Sequence, residues 1–269
     1  MEPPVDTYTH GHHDSVLRSH RSRTAENSAA YLLSVLEPGM SVLDVGCGPG
    51  SITADLAALV APGSVIGIDI VGSVLGEARA LASRRGAGNV SFVEGDFRLV
   101  GLDPGSFDVV HAHQVLQHLA DPVGALREMA RLAKPGGLVA ARDGDYSAMA
   151  WAPDDERLDR WRAIYLQVTR RNGAEANAGR WLLRWAHQAG LADASYTTST
   201  WTYATPTDRA WWGDLWAERA VASTFAEQAV AYGATTREEL TTIADAWRTW
   251  STHPDAIFMI PHGELLARP

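Results

Sequence analysis

Val42-Leu43-Asp44-Val45-Gly46-Cys47-Gly48-Pro49-Gly50 decides the fold of this 269-residue chain. The apolar run ending in glycine reads as a buried parallel strand over 41–45 that enters a tight turn. Ser51-Ile52-Thr53-Ala54-Asp55-Leu56 then opens a helix over 51–60. Lacking a Cβ, Gly46, Gly48 and Gly50 let the backbone approach a ligand closely, and the helix N-terminus presents its N–H groups to it. Such a turn suits a nucleotide-like cofactor; a sharp turn with no ligand is the plain alternative. Loops for dinucleotides and phosphates share this strand–glycine–helix plan, so the choice falls to the residues downstream.

Val65-Ile66-Gly67-Ile68-Asp69 is an apolar strand closed by a carboxylate. An ionised carboxylate accepts hydrogen bonds from both ribose hydroxyls, although Asp is also a favoured helix N-cap. Val90-Ser91-Phe92-Val93-Glu94-Gly95-Asp96-Phe97 closes a third strand. There Asp96 either accepts from an exocyclic adenine amine, with Phe97 beside it, or merely ends the strand. Phe107-Asp108-Val109-Val110, Val115-Leu116-Gln117-His118-Leu119 and Leu132-Ala133-Lys134-Pro135-Gly136-Gly137 follow in order. Over about residues 40–140 this set resembles the class I S-adenosylmethionine (SAM)-dependent methyltransferases. The loop reads Gly-x-Gly-x-Gly, whereas nicotinamide enzymes favour Gly-x-Gly-x-x-Gly.

Strands separated by helical segments mean a parallel sheet with helices on both faces. The pattern predicts strands at 41–45, 64–69, 90–93, 107–112 and 137–143, and helices at 51–60, 73–84 and 121–133. Ligands of such sheets sit outside the carboxyl ends of the strands, and Gly46, Asp69, Asp96, His113 and Asp143 all fall there. The resemblance implies an α/β, Rossmann-like sheet of seven strands in the order 3-2-1-4-5-7-6, mostly parallel with the last strand antiparallel. Past Tyr146 the composition shifts, and all ten tryptophans lie at or after Trp151. Helices are expected at 154–172, 177–189, 207–231 and 235–250, and strands at 194–204 and 256–260. The extra helices would add a cap. The expected division is 1–36 as an N-terminal arm and helical lid, 37–150 as the SAM-binding core, and 151–269 as cap insertions plus the last two strands.

The gross composition excludes several classes. A formal charge of −9 with no basic patch argues against a nucleic-acid partner. A single cysteine permits no intrachain disulfide, which points to a reducing, cytoplasmic location. No apolar run is long enough to span a bilayer, and no signal-peptide pattern opens the chain. A homodimer is an expectation from base rates alone.

The resemblance implies SAM as cofactor and S-adenosylhomocysteine as product; a SAM-binding enzyme of secondary metabolism that transfers no methyl would share the pocket, and a nicotinamide-dependent oxidoreductase is the more distant alternative. Carried onto these residues, it places Asp44, Gly46, Cys47, Gly48 and Gly50 at the methionine end and ribose, and Asp69 with Ile70 at ribose and adenine. Gly95, Asp96 and Phe97 would hold the adenine, with His113 and Gln114 beside the methionine moiety. Cys47 occupies a small-residue packing position, not that of a nucleophile.

A methyl group on a sulfonium is already activated, so the protein mainly aligns reactants and excludes water. A base is needed only if the acceptor must lose a proton. Candidates are His113 first, then His10 and His12 of the arm Tyr8-Thr9-His10-Gly11-His12-His13, which could fold over the cofactor with Tyr8 against it. Asp143 is a further candidate. Acceptor contacts are expected from Gln117, Tyr146, Tyr203, Trp211 and Trp212, the last three within an aromatic stretch with Trp201 and Trp216. Trp and Tyr offer rigid apolar area with a polar handle, and suit an aromatic or cyclic small-molecule acceptor; packing of the cap is the alternative. No metal is expected, because the histidine-rich arm offers only Asp6 and Asp14 as nearby carboxylates. The stretches 8–21 and 260–268 look like the ubiquinone/menaquinone-biosynthesis-like branch, whose quinone enzymes methylate carbon.

Overall fold

A computed structural model describes Thr9, Gly11 and residues 13–269, so Tyr8, His10 and His12 lie outside the described residues. The chain opens with α1 (Asp14–Arg21), α2 (Ala25–Ser28) and α3 (Ala30–Leu33). The alternating core follows as β1 (Ser41–Val45), α4 (Ser51–Val60), β2 (Ser64–Asp69), α5 (Gly72–Arg84), β3 (Val90–Glu94) and β4 (Phe107–His113). Next come α6 (Pro122–Leu132), β5 (Ala133–Gly144), β6 (Ala150–Ala152), α7 (Glu156–Arg171), α8 (Leu182–Ala189) and β7 (Asp193–Tyr203). Three helices, α9 (Pro206–Ala222), α10 (Thr224–Ala231) and α11 (Arg237–Thr252), precede the closing strand β8 (Ile257–Arg268).

The sheet runs β3-β2-β1-β4-β5-β8, with β7 on the far side of β8 and the short β6 sharing the edge of β8 that β5 uses. β1 to β5 are parallel; β8 is antiparallel to β5 and to β7. Counted without β6, this is the expected order 3-2-1-4-5-7-6. β1 and β4 are buried almost throughout, as strands covered on both faces must be. Leu32, Leu56 and Val60 from α3 and α4 cover one face, and Leu126, Met129 and Leu182 from α6 and α8 cover the other.

The closing strand is longer than the expected 256–260, and the reason is local. Pro261 and Gly263 look like strand breakers, yet Pro261 falls where β8 passes from β6 to β5, and its carbonyl accepts from Asp145 N–H at 3.0 Å. A Cβ on Gly263 would sit 2.1 Å from the Gly179 carbonyl oxygen, so close packing requires glycine there. The expected helix at 207–231 divides at Ser223, whose backbone is extended. Asp208 N–H donates to Thr205 Oγ1 at 3.2 Å and fixes the start of α9.

The helices beyond residue 153 do not form one cap. α7, α9, α10 and α11 pack together around Trp161, Trp216, Trp247 and Phe258, with Trp161 edge-on to Trp216 at 4.6 Å and to Trp247 at 5.0 Å. α8 instead packs on α6 and β7, so it belongs to the layer flanking the sheet. Among the described residues no helix is long and apolar enough to cross a membrane.

Candidate active site

The carboxyl ends of β1, β2, β3 and β4 open into a cavity of about 1010 Å³, walled on its far side by β7 and α9 and roofed by α1 and the turn after it. Gly46, Gly48 and Gly50 have φ of +64°, +54° and +77°, the left-handed region that glycine reaches without strain. Cys47 N–H donates to the Ile68 carbonyl at 3.0 Å and ties the loop to the end of β2. Asp69 accepts from Gly48 N–H at 2.9 Å and from Val71 N–H at 3.0 Å, so its carboxylate braces the loop while facing the cavity.

Of the residues expected at the cofactor, Asp44, Gly46, Cys47, Gly48, Asp69, Ile70, Gly95, Asp96, Phe97, His113 and Gln114 line this one cavity. Gly50 does not. A Cβ there would meet the Ala78 Cβ at 2.8 Å, so its small size serves the packing of α4 on α5. The Asp44 carboxylate is spent inside the protein: it accepts from Thr53 Oγ1 at 2.6 Å and pairs with His111 Nδ1 at 2.8 Å. Asp96 is held by Arg98, which donates from Nη2 at 2.6 Å and keeps the carboxyl below its usual range against the opposing effect of burial. Ile70 and Leu99, 63% and 60% exposed, set two large apolar side chains at the rim beside Asp69 and Asp96. Burial drives the Cys47 thiol far up in pKa, which removes it as a nucleophile.

The other end of the cavity is aromatic and basic. Tyr146, Tyr203, Trp211 and Trp212 line it, joined by Trp201 and Trp216. Tyr203 stacks on Trp212 with centroids 4.3 Å apart, and Tyr146 stacks on the buried Tyr165 at 4.1 Å. Burial raises both tyrosine hydroxyls, so neither is a ready base.

His113, expected as a general base, sits at the junction of the two ends with a guanidinium facing each ring nitrogen. Arg142 Nη1 donates to Nε2 at 2.9 Å, and Arg23 Nη1 lies 3.5 Å from Nδ1. Burial first, then these two guanidinium charges, hold the imidazole well below its ordinary pKa. The shorter of the two contacts makes Nε2 an acceptor, which places the ring proton on Nδ1 beside the more distant Arg23. Gln114, the single non-glycine residue with positive φ among the described residues, at +54°, completes the set. Its Oε1 accepts from Arg23 Nη2 at 2.6 Å, and its amide contacts His262 Nε2 at 2.9 Å.

Two of the expected site residues lie outside the cavity lining. Side chains alternate across a strand, so Asp143 points away from the face that Arg142 shares with His113. It is fully buried outside the cavity lining, accepts from Gln117 N–H at 3.1 Å, and has a pKa pushed up to about 7 by burial. Gln117 is likewise buried outside the lining, its amide on His118 at 3.0 Å and Gly144 N–H at 3.3 Å.

Arg23, Arg98, Arg219, Trp201 and Met149 also line the cavity. The chain carries 23 Lys and Arg, and nothing local marks the three arginines that face inward. Trp201 had a signal, the aromatic stretch itself. Among the described residues no cluster of three or more His, Cys, Asp or Glu is arranged to hold a metal.

Residues 36–190 match the methyltransferase-domain family. The chain is a member of that family. Across 99% of its length the methyltransferase is 30% identical to an uncharacterized methyltransferase of Schizosaccharomyces pombe, covering 98% of that protein. It is 38% identical to the demethylmenaquinone methyltransferase of Lactococcus lactis, but over only 38% of this chain and 40% of that one. The fold resembles the crystal structure of the YcgJ protein from Bacillus subtilis, with a TM-score of 0.57 at 18% identity, over 96% of this chain and 99% of that one. The protein is thus a SAM-dependent methyltransferase. The donor set fits that cofactor: a positive-φ glycine loop, an acid at the end of β2, a second acid at the end of β3, and an apolar rim.

Proposed function

We propose that the methyltransferase acts on a small aromatic or cyclic metabolite, a quinone precursor or an aromatic natural product, in the manner of the ubiquinone/menaquinone-like branch. The observation that carries this reading is the stacked Tyr203–Trp212 pair facing the same cavity as Asp69. A planar ring slid against that wall buries apolar area and gains ring stacking. Carbon is the favoured receiving atom, by analogy with quinone-pathway enzymes.

In this reading Asp69 takes the ribose hydroxyls, Asp96 and Phe97 take the adenine, and Gly46 and Gly48 give the methionine end room at the loop. Residues 1–36 act as the lid, 37–150 hold the cofactor, and 151–269 supply the acceptor wall together with the last strands. SAM supplies a methyl group already activated on a positively charged sulfur. The chain's own part is to align the acceptor and exclude water. α1 serves the second task, lying over the mouth between α5 and α9: Arg21 bonds Glu77 at 3.0 Å, and Arg18 pairs with Glu218.

The test is incubation of the protein with SAM carrying a carbon-13 methyl group and a small-molecule extract of the source cells, read by NMR. A new methyl signal in the range of carbon attached to an aromatic or quinoid ring is the expected result. A signal on an aliphatic amine would overturn the acceptor class.

A further inference from the structure

α1 and α2 lie directly over the cofactor loop. A Cβ on Gly48 would stand 3.9 Å from His20 Nδ1, and Leu17, Ser19, Arg23 and Asn27 line the same cavity. The buried residues of the two helices are Ser15, Val16, Ser19, Ala25 and Ser28, so little apolar area holds them down. Polar contacts tie them instead. At the rim, Arg21 bonds Glu77 and Arg18 pairs with Glu218, ion pairs of exposed side chains that contribute little each. On the inner side Ser51 Oγ donates to the His20 carbonyl at 3.1 Å, and Trp201 Nε1 to the Asn27 carbonyl at 2.6 Å. Arg23, in the turn between the helices, donates from Nη2 to Gln114 Oε1 at 2.6 Å. This last bond is charge-assisted, and it is made to the residue that follows β4.

Gln114 is an unexpected residue for its backbone. Its φ of +54° is open to glycine without strain, whereas a residue with a Cβ meets a steric cost there. Its N–H donates to the Arg142 carbonyl at 2.7 Å, a bond that glycine would make as well. What glutamine adds is the side chain. The amide nitrogen donates to His262 Nε2 at 2.9 Å, while His262 Nδ1 donates to the Ile260 carbonyl at 2.9 Å. That chain of donors fixes which way round the amide stands and leaves Oε1 facing Arg23. Strain of this kind persists where surrounding bonds enforce it, and it gathers at binding sites.

Resting on the reading of the N-terminal helices as a lid over the cofactor, we propose that Gln114 is the positioning residue for that lid. Its carbonyl oxygen, aimed by His262, holds Arg23 and with it the turn between α1 and α2 down over the bound cofactor. Exchange of the cofactor then requires this bond to break, and methyl transfer proceeds with it made. Arg23 also lies 3.5 Å from His113 Nδ1 and 5.8 Å over the Trp201 ring, so the share of Gln114 is read from a double-mutant cycle.

The experiment uses the full chain with S-adenosylhomocysteine, its binding first established by calorimetry. Dissociation is followed by surface plasmon resonance, and hydrogen exchange over residues 14–28 is measured with and without the ligand. Gln114→Met keeps the length and removes the acceptor; Gln114→Glu keeps an acceptor for Arg23. Gln114→Met should speed dissociation roughly ten- to a hundredfold, the usual effect of losing a hydrogen bond to a charged group. It should also abolish the protection that the ligand confers on 14–28 in the wild type. Gln114→Glu should recover most of both. In an Arg23→Met background, Gln114→Met should have almost no further effect. Thermal melts check that the variants fold, and Gln114→Asn, which tolerates positive φ but is too short to span both partners, replaces Gln114→Met if that one does not.

A wild type that does not bind S-adenosylhomocysteine overturns the cofactor reading. Binding without added protection over 14–28 overturns the lid reading. With binding and protection both present, an unchanged dissociation rate in Gln114→Met overturns the role of Gln114 alone. So does an effect of equal size with and without Arg23, and so does a Gln114→Glu variant that releases the ligand as fast as Gln114→Met.

Discussion

Arg142 Nη1 lies 2.9 Å from His113 Nε2, and that contact decides which ring nitrogen carries the proton. A guanidinium can only donate, so Nε2 is the acceptor and Nδ1 bears the hydrogen. The neighbouring ring is set in the same way: His262 Nδ1 faces the Ile260 carbonyl at 2.9 Å and donates to it, which leaves His262 Nε2 to accept from the Gln114 amide.

From this geometry His113 should stay neutral in the Nδ1–H form far into acid. Nitrogen-15 NMR of the labelled ring is the check, and titration near the ordinary 6.5 would contradict it. The pH dependence of stability has a definite sign. The folded values of His113, His118 (about 3) and His262 lie below the unfolded value, so the folded state binds fewer protons between the two. Their contribution is present above pH 6.5 and is lost as pH falls towards the folded values. Urea unfolding should therefore show stability dropping from neutral pH to about pH 5, and His118→Gln should flatten that fall.

Asp69→Ala should weaken SAM affinity at least about tenfold, since the carboxylate is lost both as a hydroxyl acceptor and as the brace on Gly48 and Val71. The protein should still fold, because Asp69 lies at a strand end and not in a core cluster. Calorimetry with S-adenosylhomocysteine beside a thermal melt measures both. Unchanged affinity would remove Asp69 from the ribose role.

Asp143→Asn should stabilise the protein in mild alkali. The folded pKa of about 7 lies above the ordinary 3.8, so this group's stabilising contribution is complete below 3.8 and is lost as pH rises through 7. At pH 8 the buried carboxylate is ionised, with Oδ2 lacking a partner. Asparagine keeps an acceptor for Gln117 N–H and carries no charge. The expected change is a Tm higher by roughly 3–8 °C at pH 8 and a smaller rise at pH 5. Cofactor affinity should be unchanged, since Asp143 does not line the cavity.

Arg142→Met should cost about 3–5 kcal/mol, because it strands Glu264 as a buried charge and removes the donor to His113. Adding Glu264→Gln should recover part of that loss. Chemical denaturation of the two single variants and the double variant tests this as a thermodynamic cycle.

Cys47 should resist alkylation in the folded protein at pH 8, since only the thiolate reacts and burial drives its pKa far up. Cys47→Ser should retain methyl transfer. Rapid labelling without unfolding, followed by mass spectrometry, would contradict the first statement.

The parallel core was legible because its signals are local. A buried strand is a short apolar run, a positive-φ turn needs glycine, and the two features alternate with helices at fixed spacing. Asp69 could be read the same way, as the polar residue that ends such a run. The closing strand was legible only in part. Pro261 and Gly263 mean a break by local rules, and what admits them is a gap between β5 and β6 and the nearness of Gly179. Asp143 and Gln117 stood in the right place along the chain, but the side of the strand or turn each faces placed them outside the cavity.

The sequence by itself determined the alternation of strands and helices and the strand ends where a cofactor is expected, because backbone conformation and binary patterning act over a few residues at a time; the order of the strands came only from the resemblance. Only the tertiary structure decided the aromatic and basic end of the cavity. Arg23, His113, Trp201, Arg219 and His262 come from five separate segments, and nothing near any one of them along the chain announces the others. Their protonation states follow from burial and from charges brought within a few ångströms by folding, and those distances exist only once β7 has paired with β8 and α1 and α9 have closed over the strand ends.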